Sequence, residues 1–401
     1  MELWKKIEAA QDRIQKVILR TPTIYSDTLS KLVGKEVLLK LENLQKTGSF
    51  KIRGAYNKLS QLPPSVRKRG VVAASAGNHA QGVALASSIL GIHSTIVMPE
   101  GVSLAKQMAT QAYGGKIILF GQSTDDALIY AKKLAKAGKS LIHPFDDEQI
   151  IAGQGTIGLE ILEEVPEAEA IVVPAGGGGL ISGIAAIVKK RRPDVKVIGV
   201  QSAHAPSAYT SWKRRKIVEM EIKPTLADGI AIRKVGEITF PMIQKWVDEI
   251  VTVEEDEIAS AILLLMERKR IVAEGAGATP LAALLSKRMK TRSRKIVLVI
   301  SGGNIDVHLL DRIIEKGLAQ TGRLVRVSIL LRDVPGALAK LTNLVGQHRA
   351  NILHIIHERA AKDIPIGFSK VILVLETRGS DHIREIKKGF REKGYSLQIL
   401  S

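Results

Sequence analysis

Near its middle the chain reads Ile171-Val172-Val173-Pro174-Ala175-Gly176-Gly177-Gly178-Gly179-Leu180, an apolar run that leads through four glycines into a helical stretch. Backbone N–H groups in such a loop, together with the dipole of the following helix, bind phosphate without a basic side chain. A tight turn would also use glycine, because glycine adopts positive φ without strain. Four consecutive glycines exceed what a turn needs, so the stretch predicts a strand, an anion-binding loop and a helix.

A dinucleotide site is the alternative for this loop. It would require the spacing G-x-G-x-x-G and an acidic residue at the end of the next strand. Counted from Gly176, the third glycine position is Ile181, and the next apolar run, 197–200, is followed by Gln201. The sequence therefore disfavours an NAD site.

On both sides of the loop, up to about residue 315, short β-rich runs alternate with helical stretches. This order predicts an α/β fold in two lobes, with mainly parallel sheets covered by helices on both faces. Strands are predicted at 37–41, 71–74, 95–98, 117–120, 171–173, 197–200, 250–253 and 296–300, and helices at 3–19, 80–90, 124–137, 180–190 and 257–269.

The pattern changes after Gly317, where residues 316–322 are expected to form a linker. The sequence divides there into a domain at 1–317 and a smaller one at 322–401. In the smaller domain the order βαββαβ is that of the ferredoxin-like fold. Its strands are predicted at 324–331, 352–357, 370–375 and 396–400, and its helices at 337–347 and 381–391.

A second segment, Ser49-Phe50-Lys51-Ile52-Arg53-Gly54, places a lysine between an aromatic residue and an isoleucine. Desolvation would lower the pKa of the Lys51 amine and leave it free to form a Schiff base with a carbonyl. Most lysines are solvated surface charges, and a short motif alone carries a high risk of a false match. Lys51 becomes a candidate for a reactive lysine only because other segments of the sequence fit the same kind of site.

Two further loops, Ser75-Ala76-Gly77-Asn78-His79 and Ser301-Gly302-Gly303-Asn304, also follow predicted strands. In parallel sheets, ligands bind beyond the carboxyl ends of the strands. The first loop is able to hold a carboxylate at a helix N-terminus, with the Asn78 amide free to donate, or Ser75 simply caps the helix. Ser301 is able to hydrogen-bond a ring nitrogen, or it too is only a cap.

Composition excludes several classes of protein. The chain has no cysteine, which removes disulfides and thiolate chemistry, and its nine histidines show no metal-binding spacing. The net charge is +19, but the basic residues are spread along the chain and aromatics are only 4%, so a solvated basic surface is favoured over nucleic-acid binding. No signal peptide is recognisable, and the longest uncharged run, 171–188, is interrupted by the glycines. We expect a cytoplasmic protein without metal or membrane partner.

Together the four segments, in this order, resemble the fold-type II pyridoxal-phosphate enzymes, specifically the serine/threonine dehydratases (threonine ammonia-lyases), over about residues 1–315. The resemblance implies a small lobe at about 46–140 inserted in the large lobe. It implies that Lys51 forms the Schiff base with pyridoxal 5′-phosphate and then removes the α-proton. The other implied contacts are Phe50 and Asn78 at the cofactor ring, Gly176, Gly177, Gly178 and Gly179 at the phosphate, Ser301 at the pyridine nitrogen, and Ser75, Gly77, Asn78 and His79 at the substrate carboxylate.

The implied reaction is β-elimination of the hydroxyl of L-threonine or L-serine, giving 2-oxobutanoate or pyruvate and ammonia. A serine racemase or another type II enzyme is the alternative, and a non-catalytic amino-acid sensor is a rival from another class. Ala76 stands where the related racemases have a second serine, and Gln201 and Ser207 stand where they bind a divalent metal. Racemase activity and a metal site are therefore disfavoured, while Glu274 is expected near the ring without an assigned role.

The tail, 322–401, resembles an ACT domain, on the loop Arg332-Asp333-Val334-Pro335-Gly336-Ala337-Leu338 and on Ala350-Asn351-Ile352. This resemblance implies an amino-acid effector bound where two tails pair, and hence a homo-oligomer, a dimer or a tetramer. It also places the protein in amino-acid metabolism such as isoleucine biosynthesis. A dimerisation domain without a ligand is the alternative.

Overall fold

The structure is a computed structural model that describes residues 2–400, in two compact units, one ending at Ile305 and the other beginning at Asp306. The first unit contains strands β1 (Thr23–Tyr25), β2 (Glu36–Leu41), β3 (Val71–Ala74), β4 (Ser94–Met98), β5 (Lys116–Leu119), β6 (Ser140–Leu141), β7 (Ala170–Pro174), β8 (Lys196–Ser202), β9 (Glu249–Val253) and β10 (Lys295–Ile300). Its helices are α1 (Leu3–Ile14), α2 (Asp27–Val33), α3 (Lys51–Leu59), α4 (Pro64–Arg69), α5 (Asn78–Ile89), α6 (Leu104–Ala112), α7 (Thr124–Lys136), α8 (Glu148–Glu164), α9 (Gly179–Arg191), α10 (Ser207–Arg214), α11 (Thr239–Trp246), α12 (Glu255–Leu264) and α13 (Gly275–Leu285).

Two sheets organise this unit, and the predicted α/β fold with mainly parallel strands is confirmed. The larger sheet has the order β1-β2-β10-β7-β8-β9, in which only β1 is antiparallel to its neighbour, and the smaller, β5-β4-β3-β6, is entirely parallel. All eight predicted strands are present. The two that were missed, β1 and β6, have three and two residues, too few to show a pattern in the sequence.

Helices cover both faces of the larger sheet, which explains why β7 is buried along its whole length. The longest helix, α8, was missed because nearly all of it is buried, so its sequence has no polar face to reveal a helical period. It packs against α9 without room for a side chain at Gly183, where a Cβ atom would lie 2.4 Å from the carbonyl oxygen of Ile151.

A buried ion-pair cluster joins α3, α8 and the end of β2. Arg53 contacts Glu42 at 2.7 Å and Glu160 at 2.6 Å, and Lys40 contacts Glu160 at 2.8 Å. Each of these four side chains is at most 1% exposed. Burial acts to lower the pKa of Arg53, but the two carboxylates raise it above its usual value, so the guanidinium stays charged. The cluster fixes α3, the helix that begins at Lys51.

The second unit contains α14 (Val307–Gln320), β11 (Leu324–Arg332), α15 (Ala337–Gln347), β12 (Asn351–Glu358), β13 (Phe368–Glu376), α16 (Ser380–Glu392) and β14 (Leu397–Ile399). From β11 onward the order is βαββαβ, as predicted, and the strands form an antiparallel sheet β12-β13-β11-β14. The expected linker at 316–322 is mostly helical, because α14 continues to Gln320. It tolerates Gly317 near its end and stops before Gly322, which has φ +65°.

Candidate active site

Lys51 is the first residue of α3, and its side chain is partly buried. The Nζ atom donates a hydrogen bond to the carbonyl oxygen of Pro144 at 3.0 Å and lies 5.2 Å from the centroid of the Phe50 ring. Burial lowers the pKa of Lys51 to about 8, against an opposing attraction from Glu274. A substantial fraction of the amine is therefore neutral near pH 8, as a nucleophile or a base must be.

The backbone around Lys51 is fixed by the segment that follows β10. The N–H of Phe50 donates to the carbonyl of Ser301 at 3.1 Å, and the N–H of Gly303 donates to the carbonyl of Gly48 at 2.9 Å. On the other side, α5 packs so closely that a Cβ atom at Gly82 would lie 3.0 Å from the carbonyl carbon of Lys51. Two of the predicted loops thus meet at the lysine.

The glycine loop, Gly176–Gly179, joins β7 to α9 and is buried. Gly178 has φ +101°, and a Cβ atom at Gly177 would lie 2.4 Å from the Phe145 ring, so neither position accepts a side chain. The N–H groups from Gly177 to Leu180 donate no hydrogen bond to other groups in residues 2–400. Such unpaired donors at the start of a 13-residue helix are able to bind an anion.

A segment that sequence reasoning missed, Pro144-Phe145, connects the lysine to the glycine loop. The Pro144 carbonyl accepts from Lys51, and the Phe145 ring packs against Gly177. The segment follows shortly after β6, so recognition of that two-residue strand was the only signal available in the sequence. A second missed residue, Thr239, donates from Oγ1 to the carbonyl of Gly177 at 2.6 Å.

Three polar side chains from distant parts of the sequence meet beside this backbone. The Asn78 Nδ2 atom lies 2.8 Å from each carboxylate oxygen of Glu274, and Asn304 Nδ2 donates to Asn78 Oδ1 at 2.7 Å. Glu274 is only 5% exposed, and its burial raises the pKa of the carboxyl to about 7 although the hydrogen bond from Asn78 lowers it. Glu274 thus contacts Asn78, and its charge also acts on Lys51.

In the loop predicted to bind the substrate carboxylate, residues 75–79, some polar groups already have partners within the chain and others do not. The Ser75 hydroxyl accepts from the N–H of Gly77 at 3.3 Å, and His79 Nε2 lies 2.9 Å from the carbonyl oxygen of Ile142. That nitrogen must donate, because a carbonyl only accepts. Burial lowers the pKa of His79 to about 3, so the ring is neutral and its Nε2 is committed to the fold. What remains for an anion is the backbone: Asn78, His79 and Ala80 donate no N–H bond within the described chain.

The residues present fit pyridoxal phosphate. The glycine loop offers unpaired N–H groups for a phosphate, Lys51 offers a desolvated amine, and the buried hydroxyl of Ser49 has no hydrogen-bond partner among the described residues. Ser301, a neutral group 2% exposed, directly follows β10. Within residues 2–400 no cluster of three acidic or histidine side chains is placed to hold a metal ion, and no helix is long and apolar enough to cross a membrane.

Gln201 and Ser207, the positions at which a metal site is disfavoured, both form hydrogen bonds within the chain. Gln201 Oε1 accepts from the N–H of Ala208 at 2.9 Å, and the Ser207 hydroxyl donates to the carbonyl of Ile232 at 2.5 Å. These bonds hold the start of α10 on the end of β8.

Comparisons with known proteins agree with this geometry. The family model for pyridoxal-phosphate dependent enzymes matches residues 14–302, and the model for the ACT domain matches residues 325–389. The L-threonine ammonia-lyase of Thermotoga maritima is 52% identical over 395 residues, which cover 98% of each chain. The enzyme of the same name from Geobacter sulfurreducens is 47% identical, again over 98% of each chain.

Solved structures show the same fold. The processed form of threonine deaminase isoform 2 from Solanum lycopersicum is 37% identical with a TM-score of 0.75, covering 78% of this chain and 87% of its own. Serine racemase from Dictyostelium discoideum is 39% identical with a TM-score of 0.71, covering 76% of this chain and 99% of its own. The chain therefore belongs to the family of pyridoxal-phosphate dependent enzymes, of the type II fold, and carries a C-terminal ACT domain.

Proposed function

We propose that this protein is an L-threonine ammonia-lyase, which also accepts L-serine. It eliminates the β-hydroxyl and releases ammonia with 2-oxobutanoate or pyruvate. The observation that carries the proposal is the juxtaposition of a desolvated Lys51 amine with the unpaired N–H groups of the glycine loop, joined by Pro144-Phe145. Identity to L-threonine ammonia-lyases along nearly the whole chain supports the choice of substrate.

Each residue contributes a distinct part of this activity. Bound pyridoxal phosphate supplies the electron sink that makes the substrate α-carbon acidic. The glycine loop would bind its phosphate, Phe50, Asn78 and Ser301 would orient its ring, and Lys51 would hold it covalently. Once the amino group of the substrate has displaced Lys51 from the cofactor, the freed Nζ takes the proton from the α-carbon, because a pKa of about 8 leaves part of the amine unprotonated. The N–H groups at the start of α5 bind the substrate carboxylate.

A serine racemase is the second candidate, because solved racemases share the fold. Racemisation requires a proton donor on the opposite face of the substrate, and Ala76 has no group that can carry a proton. We therefore expect the purified protein to convert L-threonine and L-serine to 2-oxo acids while forming little D-serine.

A lactate-dehydrogenase-coupled assay measures the 2-oxo acid, and chiral chromatography of the same mixture measures D-serine. D-serine accumulating as fast as pyruvate would make the protein a racemase. Absence of 2-oxo acid with every amino acid, from a protein without visible absorbance, would favour the non-catalytic sensor.

Regulation through the tail is the second part of the proposal, and it assumes that tails pair in a homo-oligomer. An amino acid bound there shifts activity only through different affinities for two states of the enzyme, with a coupling of about 1–3 kcal/mol. Removal of residues 322–401 should leave an active enzyme without this response, since every site residue named above precedes Ile305.

Because α14 belongs to the second unit, two truncations are compared, one ending at Thr321 and one at Ile305. Both should retain visible absorbance and turnover, and neither should respond to titration with isoleucine, valine or other amino acids. A full-length protein that binds none of these amino acids, and whose activity none of them changes, would reduce the tail to an assembly domain.

A further inference from the structure

Glu274 is a buried carboxylate without a part in the reaction as proposed above. It precedes α13, and both of its oxygens lie 2.8 Å from Asn78 Nδ2. The other end of the Asn78 amide accepts from Asn304 Nδ2 at 2.7 Å, and the same Asn304 nitrogen donates to the carbonyl of Thr47 at 2.8 Å. These contacts form a continuous hydrogen-bonded chain from Thr47 to Glu274, with Asn78 in its middle.

The direction of this chain is determined at both ends. The Thr47 carbonyl only accepts, so Asn304 presents its amide nitrogen and donates to Asn78 Oδ1. The Asn78 nitrogen must then face Glu274, whose ionised carboxylate also only accepts. Without Glu274 the donor end of the Asn78 amide would have no partner among residues 2–400, and none of them would fix its rotation on that side.

The Glu274 carboxylate packs against the same backbone segment that positions Lys51. A Cβ atom at Gly302 would lie 2.5 Å from Glu274 Oε1 and 3.1 Å from the Cβ atom of Ser49. The N–H of Glu274 donates to the carbonyl of Gly302 at 3.0 Å. Glu274 therefore has a fixed position relative to the segment Ser49-Phe50-Lys51. From that position its carboxylate can fix the orientation of the Asn78 amide.

We propose that Glu274 is a positioning residue, which holds the Asn78 amide in the orientation needed to contact the cofactor ring and thereby tightens cofactor binding. The inference rests on the proposed function in one respect, the contact between Asn78 and the ring. Glu274 strengthens cofactor binding through Asn78, so this contribution disappears when Asn78 is removed. Its attraction for Lys51 raises the pKa of that amine and acts in the opposite direction, because it leaves less of the amine neutral.

The charge of Glu274 changes near neutral pH. Burial raises its pKa to about 7, the hydrogen bond from Asn78 lowers it, and of the charged groups that face it Asp228 raises it while Lys106 and Lys51 lower it. Lys106 and Asp228 also pair with each other at 3.1 Å. Above pH 7 the carboxylate holds Asn78 by charge-assisted bonds, and below pH 7 the neutral acid holds it more weakly.

The test measures the dissociation constant of pyridoxal phosphate from the apoprotein, by absorbance titration at pH 8 and pH 6. Glu274→Ala should weaken binding at pH 8 by about tenfold or more, the usual effect of losing a buried hydrogen bond to a charge. Glu274→Gln keeps an acceptor oxygen and should stay within about threefold of the wild type at pH 8. Its affinity should also fall less than that of the wild type between pH 8 and pH 6.

Two controls make the result specific. Glu219→Gln, on an exposed glutamate, should bind as the wild type does. The double variant Asn78→Ala/Glu274→Ala should bind no more weakly than Asn78→Ala, because Glu274 has nothing left to position. Thermal unfolding reports whether each variant is folded. If Glu274→Ala is not folded, the pH dependence of Glu274→Gln decides.

Three outcomes would overturn the inference: wild-type affinity in folded Glu274→Ala, a loss in Glu274→Gln as large as in Glu274→Ala, or a further loss when Glu274→Ala is added to Asn78→Ala. A wild-type protein that binds no pyridoxal phosphate at all would instead refute the proposed function. The two failures are therefore distinguishable.

Discussion

Lys51→Ala should abolish 2-oxo acid release and the absorbance band of the covalently attached cofactor. The substitution removes the covalent attachment and the base together, and loss of such a residue costs several orders of magnitude in rate. The coupled assay and an absorbance spectrum of the purified variant measure the two effects separately. Turnover close to that of the wild type would show that the lysine is misassigned.

The same variant separates covalent attachment from binding of the phosphate. The N–H groups of the glycine loop remain unpaired in Lys51→Ala, so pyridoxal phosphate should still bind, more weakly and without the covalent link to the protein that borohydride makes permanent in the wild type. Lys58→Ala is the matched control, on the same helix, because that lysine is partly exposed and paired with Asp147 at 2.7 Å. It should keep the absorbance and the activity.

Local signals in the sequence were enough to predict the sheets and the loops that carry the site. Six of the eight predicted strands are mainly apolar runs with glycine or polar residues on both sides, and the four consecutive glycines at Gly176–Gly179 indicate an anion-binding loop without further context. In the tail, α15 was predicted with its observed limits, because its apolar residues recur with a helical period and Pro335-Gly336 precede it. These features depend only on neighbouring residues.

What the sequence could not supply are contacts between residues far apart in the chain. Asn78 and Glu274 are separated by 196 positions, and neither Pro144 nor Thr239 differs in its local sequence from an ordinary loop residue. The buried helix α8 was missed for a reason that lies in its own sequence, because it lacks the polar face on which a periodic pattern depends. The roles of the site residues came from resemblance, while the structure supplies the distances between them.

The burial of Arg53 is another feature that its local sequence does not reveal. Replacing Arg53 is also the second substitution from which we expect a large effect, on the stability of the protein. A charged residue in a sequence is ordinarily read as exposed. Here Arg53 is fully buried between Glu42 and Glu160, and it also donates to Thr156 Oγ1 at 3.1 Å. Its guanidinium is the group that makes burial of both carboxylates tolerable.

Arg53→Leu should therefore lower the free energy of unfolding by about 3–5 kcal/mol, the usual cost of removing one partner from a buried ion pair. Urea denaturation followed by circular dichroism measures the change. Arg191→Leu is the matched control, because it breaks an exposed ion pair. The side chain of Arg191 is 42% exposed and that of its partner Glu8 is 39% exposed, so the unfolding midpoint should stay almost unchanged.

A double substitution tests whether the uncompensated charge is the cause. In Arg53→Leu, Glu160 keeps Lys40 at 2.8 Å, whereas the one side-chain partner that Glu42 keeps within residues 2–400 is the hydroxyl of Thr21. Adding Glu42→Leu removes the buried charge that lacks a cation, so Arg53→Leu/Glu42→Leu should be more stable than Arg53→Leu alone. If the second substitution instead adds to the loss, Arg53 stabilises the protein by packing α3 against α8, and the electrostatic explanation fails.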